Sequence, residues 1–163
     1  QIVGSQQVFG DANHLMRTAD FGLAQPYTIY IVINPLAWNA DNTMLSGLLT
    51  NQGRIFGFVP SPEFVLYAGG YGPQTAVPTR TNSIVSAVFN GASSSIQRNL
   101  GTIVTGNPRT AAPGGITLFD DGVGNDNRLN GQTKGLVAYP AAHDAPTRTR
   151  IIRALGQIYG IAV

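Results

Sequence analysis

The sequence predicts an all-β fold, a two-sheet antiparallel sandwich with one short helix near its C-terminal end. Only 11% of the 163 residues are charged, against roughly 25% in an ordinary soluble domain. Twenty glycines and ten prolines divide short apolar runs along the chain, the rhythm of a strand-and-turn protein. Surface helices usually carry Glu and Lys, and this chain has one of each, Glu63 and Lys134. We expect a single domain over residues 1–163.

The apolar runs predict the strands in chain order. A starting hairpin is expected from Gln7–Phe9 and Leu15–Thr18. Thr28–Ile33 is apolar at successive positions, which predicts a central strand buried on both faces. Two polar segments, Tyr71–Asn82 and Asp120–Asn130, are predicted to be long loops. The remaining predicted strands are Ile55–Val59, Phe64–Ala68, Ser83–Asn90, Ile96–Val104 with an interruption at Asn99–Gly101, Ile116–Phe119 and Gly135–Tyr139.

One segment, from Asp144 to Ile158, has the period of a helix. Its apolar side chains fall within about 120° of one another on a helical wheel, and they are Ile151, Ile152, Leu155 and Ile158. Asp144 is the predicted N-cap, and Gly160 is the predicted stop. A closing strand is expected at Tyr159–Val163.

Charge and composition exclude several classes of function. Ten basic residues against eight acidic ones give a net charge of +2, and they form no basic run, so we expect no nucleic-acid partner. The chain has no cysteine, hence no disulfide and no thiolate chemistry. Its longest apolar stretch, Tyr27–Ile33, is too short to cross a bilayer. Because the chain opens on Gln1 without a signal peptide, we expect it to be part of a longer protein.

Six segments, taken in their order, carry a resemblance to a known family. They are Gln25–Ile33, Leu66–Gly70, Val88–Gly91, Arg128–Gly131, Leu136–Tyr139 and Ile158–Ile161. Over roughly residues 7–163 the chain resembles the laminin-G-like branch of the concanavalin A-like lectin and glucanase jelly rolls. The resemblance implies a jelly-roll domain of the kind found in phage tail fibres, spikes and bacterial surface proteins. Many such domains bind carbohydrate or another surface ligand.

Carboxylate spacing argues against an enzyme. Glycosidases need two carboxylates flanking the bond they cleave, and the glucanase relatives carry them as Glu-x-Asp-x-x-Glu on one strand. Here Glu63 is the only glutamate, in a predicted turn beside prolines. His14 and His143 lie in polar turn contexts. Tyr67–Gln74 faintly resembles a polysaccharide-lyase motif, but the partner Gln-Ile-His is absent. We therefore predict a protein that is not an enzyme.

Two groups of residues combine aromatic rings with hydrogen-bonding side chains, as sugar-binding sites do. The first surrounds the only tryptophan and comprises Trp38, Asn39, Asp41 and Asn42. The second comprises Tyr71, Arg80 and Asn82. For Trp38 the alternative is burial under the sandwich edge or in a subunit contact.

A candidate metal site lies in the predicted loop Asp120–Asn130. Asp120, Asp121 and Asp126 stand among amides and glycines, and carboxylate and amide oxygens are the ligands that Ca²⁺ prefers. The loop therefore makes Ca²⁺ a candidate cofactor. The alternative is a solvated Asp/Asn/Gly loop between strands.

These observations predict a non-catalytic module that recognises a cell-surface glycan or host receptor. We expect it on a virion or on an extracellular or bacterial surface, as a homo-oligomer with a trimer favoured, since several weak sites gain avidity together. The alternative is a structural, oligomerising or decorating domain of a virion, because a surface with few charges costs little to desolvate against a protein partner.

Overall fold

A computed structural model describes residues 8–10, 16–39, 41–49, 51–58, 62–121 and 128–163. The candidate metal ligand Asp126 lies outside these residues. The strands are β1 (Val8–Gly10), β2 (Met16–Arg17), β3 (Tyr27–Pro35), β4 (Thr43–Ser46), β5 (Arg54–Phe58), β6 (Glu63–Tyr67), β7 (Tyr71–Ala76), β8 (Ser83–Phe89), β9 (Ser94–Arg98), β10 (Val104–Gly106), β11 (Thr117–Leu118) and β12 (Gly131–Tyr139). One helix, α1 (Ala145–Tyr159), follows them in the described chain.

The described strands form two antiparallel sheets of six strands each, which confirms the predicted sandwich. Sheet A has the order β1-β12-β3-β8-β9-β10, and sheet B has the order β2-β11-β4-β5-β6-β7. Neighbours such as β3 and β8 are distant in sequence, so most of the pairing is long-range. Antiparallel sheets of this kind bury one face of each sheet in a shared core.

The main core fills the space between the two sheets. Sheet A supplies Ile29, Ile31 and Ile33 of β3, and sheet B supplies Ile55 of β5 and Phe64 of β6. These side chains are at most 1% exposed. The alternating residues of each strand therefore leave a second set of side chains on the outer faces of the sheets.

Sheet A is also covered on its outer face, by α1. Tyr30 and Val32 of β3 pack in a second cluster with Ile152 and Leu155 of the helix. Strand β3 is thus buried on both faces, as its continuous apolar run predicts. Leu155 and Ile152 follow the predicted helical stripe. Ile158 is 71% exposed, because the side of the helix that packs on the sheet carries Arg148, Ile152 and Leu155, and Ile158 lies roughly 120° around the helix from Ile152.

The helix begins and ends where the sequence predicts. The Asp144 carboxylate accepts a hydrogen bond from the Thr147 backbone N–H at 2.9 Å. Hydrogen bonds from the side chain and the backbone of Thr147 hold the pKa of Asp144 below its usual value. Gly160 adopts a left-handed φ of 64° at the C-cap. From there the Ile161 N–H bonds back to the Gly156 carbonyl. Tyr159 belongs to the helix, and residues 160–163 form no strand. The prediction of a strand at Tyr159–Val163 is therefore wrong.

The loop before the helix is anchored to β3. The Tyr30 hydroxyl lies 2.9 Å from Nδ1 of His143, and the Thr28 hydroxyl accepts from the His143 backbone N–H. The His143 ring packs 4.5 Å from the Tyr139 ring. Burial lowers the pKa of His143, and the neighbouring Asp144 carboxylate raises it in part. Burial also raises the pKa of Tyr30, so its hydroxyl stays protonated.

Two further predictions about elements are corrected, and one strand was not predicted. Strands β1 and β2 do not form the expected hairpin of Gln7–Phe9 and Leu15–Thr18, because β1 pairs with β12 and β2 with β11, in different sheets. Tyr71–Asn82 is not all loop, since its first six residues form β7 against β6. Strand β4 was not predicted, because it is four residues long and half polar.

Within the described ranges, no helix is long and apolar enough to cross a membrane.

Candidate ligand-binding face

The outer face of sheet B gathers aromatic side chains around one arginine. Residues directly opposite each other in antiparallel strands share a face, and β5 pairs Arg54 with Tyr67, while β6 pairs Tyr67 with Tyr71 of β7. Their sequence neighbours Ile55 and Leu66 point into the core. We call the outward set Arg54, Phe56, Tyr67 and Tyr71 the aromatic face.

The three rings of the aromatic face contact one another. The centroids of Tyr67 and Tyr71 are 5.3 Å apart with planes at 85°, and Phe56 lies 6.2 Å from Tyr67 and 6.1 Å from Tyr71. Edge-to-face contacts at these distances are favourable. Phe56 is 2% exposed and Tyr71 is 63% exposed, so the cluster rises from a buried base to an open rim.

Arg54 ties this cluster to the loop before β4. Its Nε donates to the Thr43 hydroxyl at 2.7 Å, and its Nη2 donates to the Asp41 carbonyl at 2.7 Å. The guanidinium carbon stands 4.2 Å from the centroid of the Phe56 ring, within the range of a cation–π contact. Burial lowers the pKa of Arg54, and the carboxylates of Asp121 and Asp41 partly offset that effect.

Two of the candidate metal ligands lie beside this network. Asp120 and Asp121 are 1% and 2% exposed. The Asp120 carboxylate accepts from Nε of Arg128 at 3.3 Å, and Asp121 lies near Arg54. In the part of the chain that the structure describes, no group of three His, Asp or Glu side chains is placed to hold a metal ion.

Trp38 faces the core rather than the aromatic face. Its ring is half-buried, 5.2 Å from Phe64, and it lies against Gly57, where a Cβ would come within 2.8 Å of the indole. The indole nitrogen is buried without a hydrogen-bond partner. Trp38 therefore closes the end of the sandwich core, the place that the alternative interpretation of this residue anticipates.

The other residues of the Trp38 group divide between core and surface. Asn42 is 6% exposed, and its carbonyl accepts from the Gly57 backbone N–H. Asn39 and Asp41 are exposed. Asp41 adopts a left-handed φ of 62°, and its N–H donates to the Gly57 carbonyl. Of this group, Asp41 is the residue that Arg54 joins to the aromatic face.

Arg80 and Asn82 lie at the end of β3. The Arg80 backbone N–H donates to the Pro35 carbonyl at 2.6 Å, and its side chain is exposed. Asn82 is half-buried, with its side-chain oxygen unpartnered. The structure thus groups these two with the segment that follows Pro35, whereas Tyr71 lies with Arg54.

The sequence analysis missed Arg54, Phe56 and Tyr67 as members of a site. The pattern that could have found them is period two in β5 and β6, where alternate positions carry Arg54 and Phe56, then Tyr67. Gln74, exposed on β7 opposite Val65, adds an amide to the same face. Residues i and i+2 of a strand share a face, so these side chains converge although each looks isolated in sequence.

Comparisons with known proteins show the fold. By sequence, no protein-family model and no curated protein matches the chain. In structure it is similar to a native heptameric SAP-like pentraxin from Limulus polyphemus, with 15% identity and a TM-score of 0.67, covering 90% of this chain and 80% of the pentraxin.

Two further solved structures are similar. One is domain 4 of an extracellular arabinanase from Geobacillus stearothermophilus, in complex with arabinotriose, at 14% identity and TM-score 0.70, covering 92% of this chain and 80% of that one. The other is the binding domain of a botulinum neurotoxin in complex with a sialylated ligand, at 10% identity and TM-score 0.66. The match covers 94% of this chain and 44% of that one. At such identities the likeness shows the jelly-roll architecture alone.

Proposed function

We propose that this protein is a non-catalytic module that binds a surface glycan through the aromatic face. The observation that carries the proposal is the ring of Tyr71, which is 63% exposed and packs on the half-buried Tyr67 and the buried Phe56. The site and not the fold carries the proposal, because one fold serves many functions.

The chemistry of the face suits a sugar. A pyranose or furanose ring has an apolar side that packs on an aromatic surface, and its hydroxyls need hydrogen-bond partners. Tyr71 offers the surface, while the exposed Asp41 carboxylate and the Gln74 amide offer acceptors and a donor. Arg54 fixes the Asp41 backbone, which lowers the entropy lost when the site orders around a ligand.

The similar structures support the same class of function. The arabinanase domain was solved with arabinotriose, and the neurotoxin domain with a sialylated ligand. We extend to this chain only the general role of binding a carbohydrate or receptor. A place in a virion fibre or on a bacterial surface is part of the proposal and depends on the resemblance stated above.

The carboxylates favour binding over catalysis. Asp120 pairs with Arg128, and Asp121 is buried near Arg54. Such carboxylates stabilise neighbouring cations, whereas a glycosidase needs an acid and a second carboxylate facing the scissile bond. We propose that these acids organise the face and do not react.

The experiment is a glycan-array screen of the whole chain, run with calcium and again with a chelator. Specific hits that disappear in the Tyr71→Ala variant support the proposal. The matched control is Phe21→Ala, since Phe21 is also an exposed ring, at 51%, but lines a different groove with Ala138 and Tyr139. A blank array under both conditions contradicts the proposal, and hits lost only with the chelator assign a role to Ca²⁺.

A second candidate function is assembly. Large apolar side chains are exposed, at 50% for Met16, 51% for Phe21 and 56% for Leu49, and exposed apolar groups favour protein contacts when they form a patch. A homo-oligomer, with a trimer favoured, is the proposed state. Light scattering coupled to size-exclusion chromatography tests it: a mass of about 17.2 kDa at micromolar concentration contradicts it.

A further inference from the structure

The cations of the aromatic face are already engaged by the protein. Arg54 is 7% exposed, and its hydrogen bonds go to Thr43 and Asp41 while its plane lies over Phe56. Arg128, beside it, pairs with Asp120. A guanidinium that is 7% exposed and already donates through Nε and Nη2 is poorly placed for the bidentate approach of a ligand carboxylate.

The charge that this face presents to solvent is negative. Asp41 is exposed, and Glu63 lies farther along the same face, opposite Phe58. Asp120 and Asp121 are 1% and 2% exposed, so Asp41 and Glu63 are the carboxylates that this face turns toward solvent, although the whole chain has a net charge of +2. Like charges brought together across an interface are unfavourable.

Two other arginines, Arg17 and Arg109, lie outside the aromatic face. Arg17 is on β2, at the opposite edge of sheet B from β7, and its Nη2 donates to the Leu48 carbonyl. Arg109 packs against Gly70, where a Cβ would lie 3.0 Å from its Nε. Gly70 lies in the turn between β6 and β7, so Arg109 packs against this turn and not on a strand of the aromatic face.

We infer that the aromatic face selects neutral saccharides and discriminates against sialylated or uronic-acid glycans. The inference rests on the proposed glycan-binding function and specifies its ligand class. The tyrosine rim supplies the packing surface, and Asp41 accepts from sugar hydroxyls. Since the described guanidinium groups beside Asp41 are engaged with protein groups, a carboxylate on the ligand would be repelled by the Asp41 charge.

The test is a printed panel in which each neutral glycan is paired with the same glycan carrying a terminal sialic acid or glucuronic acid. We expect the neutral members to bind and the acidic counterparts to bind at least about tenfold more weakly. Asp41→Asn removes the exposed charge at constant shape and should reduce the ratio of neutral-glycan affinity to acidic-glycan affinity. Glu63→Gln, the matched control at the far end of the face, should narrow it less.

Three outcomes are distinct. Preference for neutral members that weakens in Asp41→Asn supports the inference. Equal or tighter binding of acidic members overturns the inference while leaving the glycan-binding function intact. If Arg109→Ala then abolishes the binding of acidic glycans, their site lies beside Arg109, at the turn that contains Gly70. Binding of no member overturns the proposed function as well.

Discussion

Each sheet buries an arginine on its outer face, and the two arginines have different surroundings. Arg148 of α1 is 2% exposed on sheet A, where it donates to the hydroxyls of Ser86 and Ser95. Arg54 of β5 is 7% exposed on sheet B, with Asp121 and Asp41 near its charge. Burial lowers the pKa of both arginines. The carboxylates of Asp121 and Asp41 partly raise the pKa of Arg54 again, whereas at Arg148 the group that raises the pKa is Tyr30.

The difference separates a structural face from a face suited to binding. On sheet A, the helix covers Tyr30, Val32 and Ile84, and Arg148 joins helix to sheet inside a closed layer. On sheet B, Arg54 joins the Asp41 segment to rings that reach solvent at Tyr71. The same residue type therefore supports packing on one side of the molecule and a solvent-facing surface on the other.

The largest effect is expected when the same substitution is made at both arginines. Arg54→Met removes the hydrogen bonds to Thr43 and Asp41 together with a cation near the buried Asp121, and should lower the free energy of unfolding by about 3 kcal/mol. Arg148→Met removes a desolvated charge and leaves two serine hydroxyls without their donor, so it should cost only about 1 kcal/mol. Urea denaturation measures both, with the exposed Arg150→Met as the control. Equal losses at the two positions would contradict the contrast between the faces.

A second comparison uses the two aromatic residues of the predicted sites. Trp38→Ala should lower the free energy of unfolding by about 2–3 kcal/mol, because it empties space against Phe64 and Gly57. Tyr71→Ala should cost under about 1 kcal/mol, since the ring is mostly exposed. Thermal and urea unfolding give both values. The reverse order would show that Tyr71 is a packing residue.

The smallest effect is a pH dependence on the sheet A side. Burial lowers the pKa of His143 from its ordinary value of 6.5, so the unfolded chain takes up the proton first as the pH falls. Stability should therefore decline as the pH falls below about 6.5 and level off below the folded pKa. His143→Gln should remove that decline. Asp144→Asn should change the pH dependence below about pH 4, where the Asp144 carboxylate titrates, and should deepen the His143 decline, because it removes the carboxylate that raises the pKa of His143. If the free energy of unfolding has the same pH dependence in His143→Gln as in the wild type, His143 is not the source of the decline.

Periodicity made most of the fold predictable. The continuous apolar run of β3 indicates a strand between two layers, and the Asp144 and Gly160 caps bound the helix within a residue. Strand β7 was missed because its sequence, rich in Gly, Pro and Gln, lacks β propensity and depends on pairing with β6. The predicted strand after the helix failed because Gly160 turns the chain back onto Gly156.

The candidate site was harder to predict, because its members come together through pairing across strands. Asp41 and Tyr71 belong to separate segments of the sequence, and Arg54, which connects them, is not among the predicted site residues. Trp38 was chosen for its residue type, but its neighbours Gly57 and Phe64 decide which way it faces. Composition identifies the residues that can bind a sugar, and only the register of β5, β6 and β7 shows which of them share a surface.

The central claim is that the aromatic face, and not the Trp38 segment, binds glycan. Isothermal titration with the strongest neutral glycan from the array tests it on the wild type, Tyr71→Ala, Arg80→Ala and the Phe21→Ala control. The account predicts at least about a tenfold loss of affinity in Tyr71→Ala, with Arg80→Ala and Phe21→Ala close to wild type. Unchanged binding in Tyr71→Ala together with loss in Arg80→Ala would contradict it and place the site beside Pro35.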